Sequence, residues 1–285
     1  RTQSPDARSV AGLLLLVVLA FRREIFMGQV IWLDDMILVH FPILTYTAQM
    51  MRAGQLPLWT PYLWSGFPLF ADSIATPLYP VHLLTLLAAP FAAYAAEYII
   101  SAGLAGLFMY GFVRSLNLSP LPAFVGGVAF MFSGFMVSHV NHFNVLGVAP
   151  WLPLILWMFE LCLQRRQWRY MALGGFAQGV QILGGHPQVV LMSLLALFAY
   201  GSVRCLAAPA SDRPHSRGRL GHTCYAALAV AGIVGIGIGV AAFQLIPFAE
   251  LFVQGRRVSP DWGYDAATQI SYPPHMLINV VIPFF

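Results

Sequence analysis

Residues 223–246 read TCYAALAVAGIVGIGIGVAAFQLI, a run without one Asp, Glu, Lys or Arg. About 20 apolar residues in helix suffice to cross the hydrocarbon of a bilayer. Further runs of this kind occur at about 92–113, 121–138, 143–163, 170–184 and 188–206, with a shorter one near 83–90 and another beginning near 276. An opening run, VAGLLLLVVLAF, extends to roughly residue 30 if Arg22 and Arg23 snorkel to the interface. No small-x-small cleavage site follows it, which argues against a signal peptide. Only 9% of the 285 residues are charged and 59% are hydrophobic, at a mean hydropathy of +0.72, whereas soluble domains are about 25% charged. The expectation is an all-α, polytopic transmembrane helix bundle.

The sequence pI is near 9.1, yet nucleic acid is not the implied partner. All 15 basic residues are arginine and lie scattered between apolar runs, as loop charges do. With the N-terminus in the cytoplasm, Arg1, Arg8, Arg114, Arg165, Arg166, Arg169, Arg204, Arg213, Arg217 and Arg219 fall inside. Arg22, Arg23, Arg52, Arg256 and Arg257 fall outside. Ten against five agrees with the positive-inside rule. Residues 1–285 then form a single transmembrane domain with a first outer loop at about 32–80 and a basic cytoplasmic loop at about 207–222. The chain opens at Arg1 and stops within NVVIPFF, so it is expected to be a piece of a longer protein. Cys162, Cys205 and Cys224 lack metal-ligand spacing and read as reduced bystanders.

Polar chemistry gathers on the outer side. Asp34, Asp35, Asp72 and most histidines fall there, including His40, His82, His139, His142 and His186. The loop opens with Asp34-Asp35. FPILTYTAQMMRAG then reads as a short interfacial helix with Phe41, Leu44, Ala48 and Met51 on one face and Gly54 at its end. Pro57, Pro61 and Pro68 block regular helix beyond it, and Trp59, Tyr62 and Trp64 suit the headgroup level. Irregular backbone near lipid must fold against protein or line a wet cavity. The acidic pair reads either as a functional carboxylate at the mouth of the bundle or as a water-exposed cap.

The motifs carry a resemblance. DDMILVHFPI followed by GQLPLWTPYLWSGFPLFADSIATPLYP resembles the signature loop of the YfhO family of bacterial membrane proteins. Asp35, Phe41-Pro42, Pro57-Leu58-Trp59, Pro61, Gly66, Pro68, Ala71-Asp72 and Tyr79-Pro80 occupy the pattern, and FSGFMVSHVNHFN, WLPLIL, LGGHPQ and PFAELF follow in order. The sequence departs from the pattern in having Asp34 before Asp35, where the family often has Gly, and His40-Phe41 after it, where the family often has Gln-Tyr. The resemblance implies a GT-C-like glycosyltransferase architecture in the bacterial cytoplasmic membrane. Such an enzyme moves a sugar from a polyprenyl-phosphate carrier to an extracytoplasmic cell-envelope acceptor, whether glycopolymer, lipid or protein. The resemblance places the catalytic role on Asp35, with Asp34 as its neighbour or alternative.

Transfer from a lipid-linked donor needs a base near the acceptor hydroxyl, donors or cations at the departing phosphate, and an apolar wall for the carrier. In the loop, the candidate substrate contacts are His40, Trp59, Tyr62, Asp72 and Tyr79. Elsewhere they are His139, His142, His186, Gln188, Arg256 and Arg257. His139 and His142 share a face if helical, although helix-end histidines also serve as plain interface residues. Gly184-Gly185-His186-Pro187-Gln188 breaks one helix and starts the next. Gly232–Val240 lies within an apolar span, where small residues let helices approach. Asp and His could hold a divalent metal, but their spacing specifies no geometry. The rival readings are a transporter or flippase for lipid-linked sugars, which favours midplane charges and repeated halves, and a non-catalytic scaffold for envelope assembly.

Overall fold

The computed structural model describes residues 4–31, 35–140, 142–206, 219–255, 263–264, 268, 273–280 and 282. Asp34, Arg256 and Arg257 lie outside the described residues, as does 207–218 of the basic loop.

The described elements are helical. They are α1 (Pro5–Ala20), α2 (Arg22–Met27), α3 (Phe41–Arg52), α4 (Leu84–Leu87), α5 (Pro90–Ser115) and α6 (Pro120–Met131), then α7 (Gly134–Ser138), α8 (Phe143–Val148), α9 (Trp151–Arg165), α10 (Trp168–Leu183), α11 (Pro187–Leu206) and α12 (Arg219–Val253). Five segments are long and apolar enough to cross a membrane: Pro90–Ser115, Pro120–Ser138, Phe143–Arg165, Pro187–Leu206 and Thr223–Val253. Their outward residues are apolar, with Leu195 60% and Ile246 69% exposed. An exposed apolar surface on this scale calls for hydrocarbon around it, and the chain is a multi-pass membrane protein.

Four expected spans differ from the reading of the sequence. The opening helix stops at Ala20, because Phe21 leaves helical geometry at φ −101° and ψ 27° just before the Arg22-Arg23-Glu24 cluster. The short α2 then ends at Gly28 in the left-handed region. The run expected to form a helix from 276 is a 3₁₀ helix over Pro274–Val280, opened by proline. The spans at 120–138 and 143–165 are each broken. Ser133 caps α7 by accepting the Met136 N–H at 3.3 Å, and the chain turns again between α8 and α9.

Two cores hold the bundle. Leu13, Val17, Met36, Leu44, Tyr94 and Phe143 fill the first, and Phe159, Tyr170, Leu197 and Ile233 belong to the second. The glycine-rich centre of α12 lies directly on α10. A β-carbon at Gly175 would stand 2.5 Å from Ile236 Cβ, and one at Gly179 would stand 2.6 Å from Val240 Cβ. These small residues permit the close helix approach expected of Gly232–Val240. At the end where α9 and α11 finish, the buried Glu160 carboxylate takes Arg204 in a forked pair at 2.7 and 2.8 Å. Tyr200 and Gln164 donate to it at 2.7 and 2.8 Å. The loop, the 139–142 break and the 184–186 turn all sit at the opposite end, since the intervening helices alternate in direction.

Candidate functional site

The loop is built around a distorted helix start. Asp35 heads a turn that runs through Met36–His40 in π geometry, and the Phe41 N–H bonds back to the Met36 carbonyl five residues earlier. Such wide turns often occur at functional sites. Asp35 therefore begins the helix of the loop. α3 follows and buries Ile43, Leu44, Thr47 and Ala48. Leu44 and Ala48 lie on the expected face, while Phe41 and Met51 are only half-buried. Gly54, at φ +74°, closes the segment.

The second wall comes from the break between α7 and α8. His139 Nδ1 donates to the Phe135 carbonyl at 2.8 Å, leaving Nε2 free of that bond. Its ring lies 5.4 Å from that of His142. His142 Nε2 stands 3.8 Å from Asp35 Oδ2, and both side chains are about half exposed at 43% and 52%. Between exposed groups this contact is worth little in stability. Its value is positional, because it aims an imidazole at a carboxylate open to solvent.

The third wall is the 184–187 turn. Gly185 has φ +75°, and a β-carbon there would meet the Ser73 carbonyl oxygen at 2.0 Å and Thr76 Cγ2 at 2.1 Å. Gly184 leaves no room either, with Val148 Cγ1 at 2.4 Å. The paired glycines thus let the turn rest directly on the loop. His186 Nδ1 accepts the Val189 N–H at 3.3 Å, which leaves Nε2 as the protonated nitrogen of the neutral ring. Burial first, then the fields of His139 and His142, hold His186 below its ordinary pKa.

Beneath these groups lies His40, 5% exposed, whose Nδ1 finds no hydrogen-bond partner among the described residues. Burial pushes it down to about 4; Asp35 opposes this shift, while His82, His142 and His186 reinforce it. Asp35 and His142 are brought together at 3.8 Å, with the His139 ring beside His142, from two separate stretches of chain, and the turn that carries His186 rests on the loop at Ser73 and Thr76. Sequence reasoning assigned no role to the pair below. His82 Nε2 meets Glu97 Oε1 at 3.1 Å, with both residues under 5% exposed. His82 Nδ1 lies 2.7 Å from Thr76 Oγ1, and the ring stacks on Phe143 at 5.5 Å and 6°. The available signal was an acid inside an apolar run, which is costly unless partnered.

The other candidates are more dispersed. Asp72 is half-buried, and burial pushes its carboxyl up to about 6 against the backbone N–H donors of Ile74 and Ser73. Tyr79 is buried; its hydroxyl donates to the Gly147 carbonyl at 2.6 Å and accepts from Trp151 Nε1 at 3.2 Å. Trp59 and Tyr62 lie on the exposed side of the loop. The Trp59 ring covers Gly66, and Tyr62 sits edge-on to Tyr46 at 5.5 Å. Gln188 is exposed in the first turn of α11. Among the described residues, no three His, Cys, Asp or Glu side chains gather as a metal would require.

No protein-family model, curated protein or solved structure matches the chain.

Proposed function

We propose that this chain is a membrane glycosyltransferase with GT-C-like architecture, of the YfhO type. In this reading it works on the outer face of a bacterial cytoplasmic membrane and moves a sugar from a polyprenyl-phosphate carrier to a cell-envelope acceptor. The observation that carries the reading is the convergence of an open carboxylate, Asp35, with His142 at 3.8 Å and with His40, His139 and His186 around it. Asp35 takes the proton of the acceptor hydroxyl as that oxygen attacks the anomeric carbon. The bond from that carbon to the phosphate oxygen breaks, and the carrier phosphate leaves with the electron pair. His186 Nε2–H and the Nε2–H that His142 turns toward Asp35 supply donors to that phosphate. The test is Asp35→Asn, which should abolish sugar transfer while the protein inserts in the membrane normally. Transfer that persists would refute the base assignment.

A second reading, a transporter for lipid-linked sugars, is favoured by the buried His82–Glu97 pair inside the bundle. There Glu97→Gln should stop movement of the substrate across the membrane, and Asp35→Asn should not.

A further inference from the structure

At the loop end, α11 and α12 stand apart around a cavity of about 250 Å³. Ile182, Val190, Leu194, Ile238, Leu245 and Phe248 make its walls, and Ser73, Gly185 and Gln244 stand at its polar margin. A second apolar cavity of about 720 Å³ continues along the same two helices, past Phe198, Gly201 and Ala231. Gln244 is 5% exposed. Its Nε2 donates to the Phe70 carbonyl at 2.6 Å, which fixes which end of the amide is which. Oε1 is then an acceptor, buried and without a partner among the described residues. Leaving such an oxygen unmet is unfavourable.

We infer that this groove binds a neutral membrane lipid bearing a free hydroxyl, with its chain along the apolar walls and its O–H donated to Gln244 Oε1. The complement is chemical. No charged side chain lines the cavity among the described residues, so an ionised phosphate would bring only acceptors to an acceptor and meet no cation. A hydroxyl supplies the missing donor, and hydrocarbon fills the rest. Because Gly185 and Pro187 flank His186, the groove opens beside the candidate site. The inference nevertheless stands whether or not sugar transfer is the activity.

The test uses the full chain in phosphatidylcholine nanodiscs with a photoreactive diacylglycerol and the O-methyl ether of the same lipid. Equal chains make the hydroxyl the only variable. Diacylglycerol should label Leu191, Leu245 or Phe248 about tenfold more strongly than the ether, the preference expected from one buried hydrogen bond. Gln244→Leu should erase that preference. Val190→Trp, which fills the groove from the other helix and leaves Gln244 bonded to Phe70, should abolish labelling by both lipids; Leu194→Trp replaces it should the first variant misfold. Equal labelling by the two lipids in the wild-type protein would overturn the inference. So would a preference that survives Gln244→Leu, which would mean that water alone satisfies the oxygen. Labelling that survives a filled groove would place the lipid elsewhere.

Discussion

Gly185→Ala probes the contact on which the site's third wall rests. A residue with a β-carbon pays about 1–2 kcal/mol to hold a left-handed backbone, and Gly185 has φ +75°. The new carbon would also stand 2.0 Å from the Ser73 carbonyl oxygen and 2.1 Å from Thr76 Cγ2. The first of these is backbone, so no rotamer change relieves it. Displacing packed groups costs a further 1–3 kcal/mol or so. The sum, about 2–5 kcal/mol, is large against ordinary stabilities of 5–15 kcal/mol or so. Unfolding in mixed micelles titrated with dodecyl sulfate, followed by tryptophan fluorescence, measures it directly. Gly134→Ala is the matched control, since nothing lies within 4 Å of its added carbon and Ala suits helix better than Gly by about 1 kcal/mol. If the two variants unfold alike, the 184–187 turn does not rest on the 73–76 segment, and the placement of His186 beside the loop falls with it.

Three further outcomes follow from the same geometry. His40 is held near 4, below its unfolded value of 6.5. The unfolded chain therefore binds the extra proton first, and stability should fall as pH drops from 6.5 toward 4, a slope that His40→Phe flattens in unfolding curves taken across that range. Asp72 is raised from 3.8 to about 6, so its ionisation costs the folded state stability as pH rises through that interval. Asp72→Asn should stabilise the protein by about 1–3 kcal/mol at pH 7.5 and by nothing below pH 3.5, read from the same curves. Arg204→Leu strands the buried Glu160 carboxylate and should cost about 3–5 kcal/mol, with Glu160→Gln restoring part of it, measured by dodecyl sulfate unfolding.

The spans were legible because apolar length alone defines them. Runs at 92–113, 170–184 and 188–206 appear as helices within a few residues of those bounds. Breaks within spans were not legible. Ser133 and the 139–142 turn interrupt residues that are apolar on both sides, and hydropathy does not register a capped break. The histidines could be counted to one face, yet what brings Asp35 to His142 is the π turn at Met36–His40, which no periodicity announces. The glycines of the 184–188 stretch signalled a turn. That they also make room for Ser73 and Thr76 is a contact more than 100 residues away in sequence, beyond any local pattern.

The π turn also limits how this loop can vary. One residue more or fewer between Asp35 and Phe41 would swing everything upstream by about 100° around the helix axis, carrying the carboxylate away from the imidazole it now faces. Most loops drift freely in length among related chains. This one works as a ruler, and chains that keep the same chemistry should keep its count of residues even where every side chain between the two ends has been exchanged.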